Sequence, residues 1–255
     1  MLWIMRNELK RIFVNRKIIP VLSGIVILNM LSVYGELSIS SDVISMYTME
    51  ITGITIFPIF SIILCMWGYG GTLYEDIKYK HARNVALRYS IKKYVYIKHV
   101  SIVFATVLLQ FFGQLITVGI LKIKFPLITT GEQYIEATGT YAYLAENKAL
   151  KFVLITAFIY AMWMSVYVLI GQIVSMLTEN LFLITVSPIL IYYGITNIGY
   201  MISIPDAVYP NTVFSMSGII IMDTPLEGVM YCILYMVLLL FVVGLVSGGF
   251  IRKRT

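Results

Sequence analysis

Six long apolar runs govern what this chain can fold into. They cover Ile18–Leu37, Ile54–Tyr74, His99–Leu121, Phe152–Leu177, Leu181–Tyr200 and Val229–Ile251. A hydrocarbon core of ~30 Å takes ~20 helical residues at 1.5 Å each. Each run is long enough, and none alternates as a barrel strand would. Backbone polar groups in lipid must bond within their own segment, so the runs read as helices. Composition agrees: 59% of the 255 residues are hydrophobic and 13% are charged, where a soluble domain carries ~25% charge. The fold class expected is an all-α integral membrane protein with six transmembrane helices, forming one domain over residues 1–255.

Lysine and arginine set the expected orientation. Arg6, Lys10, Arg11, Arg16 and Lys17 precede the first run. Lys78, Lys80, Arg83, Arg88, Lys92, Lys93 and Lys98 lie between the second and third, and Arg252, Lys253 and Arg254 follow the sixth. Only Lys122, Lys124, Lys148 and Lys151 remain, between runs three and four. Cytoplasmic loops hold the excess of basic residues, so both termini and the 75–98 segment are expected inside. The pair Lys122 and Lys124 runs against the trend and can snorkel at the outer interface. The first run is too long for a signal peptide and lacks a small-x-small site after it, so it is read as a retained span.

Three segments are not plain spans. In the first seventeen residues Leu2, Met5, Leu9, Ile12 and Phe13 recur at helical spacing, with Arg6, Lys10 and Arg11 between them. This predicts an amphipathic helix, either lying in the interface or extending the first span. Between runs two and three, Ser90 is placed to cap the helix entering the third span. Tyr94 and Lys98 then stand one turn apart on it. After run five, Met201–Gly228 is apolar but broken by Pro205, Pro210 and Pro225, which fits a re-entrant hairpin.

Most soluble chemistries are excluded. No G-x-x-x-x-G-K-[ST] phosphate loop occurs, so the chain does not bind ATP in that way. His81 and His99 do not have the spacing of a helical metal site. Cys65 and Cys232 both sit in apolar runs and read as core thiols. No basic polar stretch points to nucleic acid. The span interiors are poor in ionisable groups, which argues against an ion-coupled transporter or an intramembrane hydrolase. Gln110, Gln114 and Gln172 are notable polar residues within spans; they can line a pathway or bond between helices.

The arrangement resembles the permease subunit of bacterial type-2 ATP-binding-cassette (ABC-2) exporters. Glu75-Asp76 stands where that family has an acidic residue after helix two. Leu87, Ser90, Tyr94 and Lys98 match its following motif, although the family's proline is replaced in the Arg88-Tyr89 region. The turn Leu177–Leu181 and Pro188 also match family habits. The resemblance implies that Glu75, Asp76, Arg83, Leu87, Arg88, Ser90, Tyr94 and Lys98 couple to a separate cytoplasmic ABC ATPase. ATP would then be the partner's cofactor and this chain would hold none. It also implies a homo- or heterodimer with a second permease, in a bacterial plasma membrane. The competing reading is a six-helix membrane enzyme or an assembly or signalling protein.

Overall fold

A computed structural model describes residues 2–34, 42–51, 57–79, 81, 90–129, 147–202, 205, 213 and 224–254. Among these residues the regular structure is helical, with no strand. In chain order the helices are α1 (Leu2–Val14), α2 (Ile18–Tyr34), α3 (Val43–Ile51), α4 (Phe57–Cys65), a π turn (Met66–Gly70), α5 (Thr72–Lys78), α6 (Ile91–Lys124), α7 (Ala149–Leu177), α8 (Leu181–Met201) and α9 (Pro225–Arg254).

Among the described residues three segments are long and apolar enough to cross a membrane: Lys93–Lys124, Ala149–Leu177 and Leu226–Leu245. They mark the chain as a membrane protein. The chain bends 65° between Met5–Val14 and Ile18–Tyr34, and this pair makes a fourth candidate if taken as one bent span. Within the second and fifth expected runs the apolar helices, Phe60–Gly70 and Leu181–Ile195, are shorter than a span, so the expected six spans become three, or four with the bent pair, among the described residues. The second run was expected as one continuous helix over 54–74. It is instead α4, a π turn and α5, which continues to Lys78.

Local sequence explains several ends. Thr224, Pro225 and Glu227 open α9 as a capping box: Glu227 N–H donates to Thr224 Oγ1 at 3.4 Å, and Thr224 N–H donates to Glu227 Oε2 at 3.3 Å. Pro225 takes the first helical position, where no N–H is needed. Asn180 opens α8, its Oδ1 accepting from Phe182 N–H at 3.0 Å. The carbonyl of Ile184, which Pro188 cannot reach with an N–H, accepts the Ser187 hydroxyl at 3.4 Å. Ser90 occupies the capping position of α6, but its side chain makes no capping bond. The expected cap is therefore positional only. α6 begins at Ile91, as the capping position at Ser90 anticipates, two turns before the apolar run that starts at His99.

α7 is the centre of the bundle. Of its apolar span 78% is buried, against 22% for that of α9, which is peripheral. α6 and α7 form the most extensive helix pair; α2 packs on α6 and α4, α8 packs on α7, and α9 packs on both α6 and α7. Without a solvent-driven hydrophobic term between helices in lipid, close contact must come from small residues. Gly113 of α6 meets α2 so closely that a Cβ there would stand 2.6 Å from Ile25 Cγ2. At Gly171 of α7 a Cβ would stand 2.8 Å from Pro188 Cγ. Gly68 is likewise held against Val21. At the end remote from α5, α3 closes over the bundle. Val43 N–H donates to the Pro126 carbonyl at 3.0 Å, and Asp42 accepts from the backbone of both Ser45 and Thr129 at 2.8 Å.

Candidate functional site

The most unusual feature of a chain so poor in charge is a buried ion-pair cluster at one end of the bundle. Three elements build it. α1 supplies Glu8 and Arg11. The π turn and α5 supply Tyr69 and Asp76. The first two turns of α6 supply Tyr94 and Lys98.

Lys98 is fully buried. Its Nζ lies 2.8 Å from Glu8 Oε2 and 2.7 Å from Asp76 Oδ2, and 5.4 Å from the centre of the Tyr69 ring. Asp76 is 2% exposed. Arg11 grips both its oxygens, Nη2 at 2.9 Å from Oδ1 and Nη1 at 3.1 Å from Oδ2. Tyr94 Oη donates to Asp76 Oδ2 at 2.6 Å, and Tyr69 Oη donates to Glu8 Oε2 at 2.7 Å. Two carboxylates thus face two cations, with two phenols filling the remaining acceptor sites. Burial alone would raise the Asp76 pKa. The Lys98 charge and the hydrogen bonds from Arg11, Lys98 and Tyr94 outweigh that and hold it below the usual carboxylate range. At the edge, Lys17 and Glu75 form a half-exposed pair at 3.4 Å.

The π turn helps to shape this end. Gly71 N–H donates to the Met66 carbonyl five residues back, at 2.6 Å. The Gly68 carbonyl accepts Asn15 Nδ2 at 2.8 Å, which ties the α1–α2 bend to the same turn. An open cleft of about 620 Å3 adjoins the cluster, lined by Glu8, Arg11, Glu75, Asp76, His81 and Tyr94 among others.

Sequence reasoning named Glu75, Asp76, Tyr94 and Lys98, and the last three meet through one carboxylate. Ser90 is exposed; its carbonyl accepts the Tyr94 N–H at 3.1 Å, and its side chain makes no capping bond. Arg83, Leu87 and Arg88 lie outside the described residues, as does most of the 201–228 segment read as a re-entrant hairpin. Glu8 and Arg11 were missed. α1 was read for its apolar stripe, yet Phe13 is 70% exposed while Glu8 is 5% exposed. The inward face of α1 pairs Glu8 with Ile12, while Met5 and Phe13 of the apolar stripe are exposed. The available signal was Glu8 itself, the lone acidic residue among the first seventeen.

Gln110, Gln114 and Gln172 are fully buried between helices. Gln110 Nε2 donates to Ser61 Oγ at 2.7 Å, linking α6 to α4, and Gln172 Oε1 meets His99 Nδ1, linking α7 to α6. The Gln114 amide has no hydrogen-bond partner among the described residues. No group of three or more His, Cys, Asp or Glu among the described residues is placed to hold a metal ion. Cys65 and Cys232 are buried free thiols.

Comparison with protein-family models, with curated proteins and with solved structures found no match to this chain.

Proposed function

We propose that this chain is the membrane-spanning subunit of an ATP-driven exporter of the ABC-2 kind. In this reading it crosses a bacterial plasma membrane six times, with both termini and the 75–98 segment in the cytoplasm. A second permease copy or paralogue completes the pathway, and a separate ABC ATPase binds and hydrolyses ATP. The substrate is a peptide, an antibiotic or a lipid-like compound.

One observation carries the reading. The residues that resemble the family's coupling motif, Asp76, Tyr94 and Lys98, are joined by ion pairs and hydrogen bonds to Glu8 and Arg11 of α1. A push on the 75–98 segment would therefore move α1, the end of α5 and the start of α6 together. Rigid-body displacement of packed helices is how such motion reaches a distant interface. The open cleft beside Glu75 and His81 leaves this end accessible to a partner.

Reconstitution tests it. The chain, co-expressed with a lone cytoplasmic ATPase, should copurify with it and move peptides or drugs only when ATP is supplied. Leu87→Ala with Arg88→Glu should weaken that association. Asp76→Asn should leave the complex assembled while transport falls relative to ATP hydrolysis. Absence of any ATPase association, or reporter fusions placing residues 78–93 outside the cell, would overturn the proposal.

A further inference from the structure

The opposite end of the bundle holds a surface of different character. Leu127, Lys148, Ala149, Leu150, Lys151 and Leu154 line an open cavity of about 480 Å3 at the start of α7. Its wall is almost wholly apolar, so the two lysines line it with their methylene stems. Both lysines are exposed, and among the described residues neither ammonium meets a carboxylate. Lys148 holds the N-cap position of α7 and Lys151 lies in its first turn.

Depth in the membrane follows from length and charge. α7 has 29 residues, about 43 Å at the helical rise, against a hydrocarbon core of ~30 Å. A lysine in that core is costly, so the surplus length places the first turn of α7 at the level of the lipid headgroups. An open apolar recess beside two exposed cations, with no carboxylate against them among the described residues, complements one kind of molecule: an amphiphile with a negative head.

We propose that this groove holds an anionic phospholipid. Its phosphate lies between Lys148 and Lys151, and its acyl chains lie along Leu127, Leu150 and Leu154. A soluble anion would leave the apolar wall unused. A zwitterionic lipid would bring its own cation against the two lysines. The proposal needs the chain to span a membrane but not to have an ATPase partner, so it stands or falls separately from the exporter reading.

The test is native mass spectrometry of the full chain in detergent, titrated with phosphatidylglycerol or phosphatidylcholine. Phosphatidylglycerol should bind at least about tenfold more tightly, and K148E with K151E should weaken it by at least about thirtyfold, the loss expected from near 1 kcal/mol for each lysine charge removed. K148R with K151R should retain binding. K122E with K124E, at the same end but off the groove, should change it less than about threefold. Leu154→Trp fills the groove without altering charge and should also expel the lipid. Equal binding of the two lipids would overturn the proposal, as would retention by both K148E/K151E and Leu154→Trp. Displacement of the lipid by soluble glycerol phosphate or by an acidic peptide at equal concentration would also overturn it.

Discussion

The two ends of this bundle are closed by different chemistry. At one end Glu8, Arg11, Asp76 and Lys98 bring together three elements through side-chain charges, over sequence separations of up to 90 residues. At the other, α3 is fastened by backbone. Val43 and Ile44 donate to the carbonyls of Pro126 and Leu127, and Asp42 accepts from two backbone N–H groups. The difference is one of interdependence. The charged end balances desolvation against attraction, so deleting one member leaves another buried and unmatched. The backbone-fastened end distributes its hold over several bonds, each worth about 1 kcal/mol net.

The largest expected effect is therefore at the charged end. Lys98→Met should destabilise the detergent-solubilised protein by about 3–5 kcal/mol in chemical unfolding, because two carboxylates lose their shared cation. Adding Glu8→Gln should recover part of that loss. A loss below about 1 kcal/mol would show that this end is not held by charge. The same contrast has a pH signature. The Asp76 pKa is depressed in the folded protein, so its contribution is present above the unfolded carboxylate value near ~4 and is lost as pH falls through the folded one. Thermal stability of the wild type should fall below about pH 4, and Asp76→Asn should start lower and show a flatter profile.

Midway between the ends, Gly113→Ala should cost about 1–3 kcal/mol, since Ile25 is fully buried and cannot retreat from the new Cβ. A second change, Ile25→Val, should restore part of it. At the far end, Asp42→Ala should cost about 2 kcal/mol, with Asp42→Asn retaining most of the stability. If Asp42→Ala matched Lys98→Met, the proposed contrast between the two ends would fail. The smallest effect belongs to the half-exposed pair: Lys17→Ala should cost less than about 1 kcal/mol, and added salt should mask it.

Helix placement was largely legible in the sequence because hydropathy reports a local preference for lipid. The runs at 152–177, 181–200 and 229–251 meet α7, α8 and α9 to within a few residues. Two kinds of feature were not legible. The π turn depends on Asn15 and Val21 fitting around Gly68, which no local pattern states. Glu8 looked like one more charge in a basic segment, because its partners, Tyr69 and Lys98, lie 61 and 90 residues away. Tyr94 and Lys98 were found because they stand one turn apart on a single helix, where spacing in sequence is spacing in space.

The wide turn at Met66–Gly70 has a geometric consequence. A π turn accommodates one more residue than an α turn, and each added residue rotates the downstream helix by about 100°. The azimuth of Asp76 relative to Ser61 and Cys65 is thus set by a single surplus residue. Removing one position there, such as the half-exposed Trp67, would restore regular winding and swing the carboxylate off the axis it shares with Lys98. The charge lock behaves as a keyed coupling: intact side chains are not enough, and the helix must also count correctly.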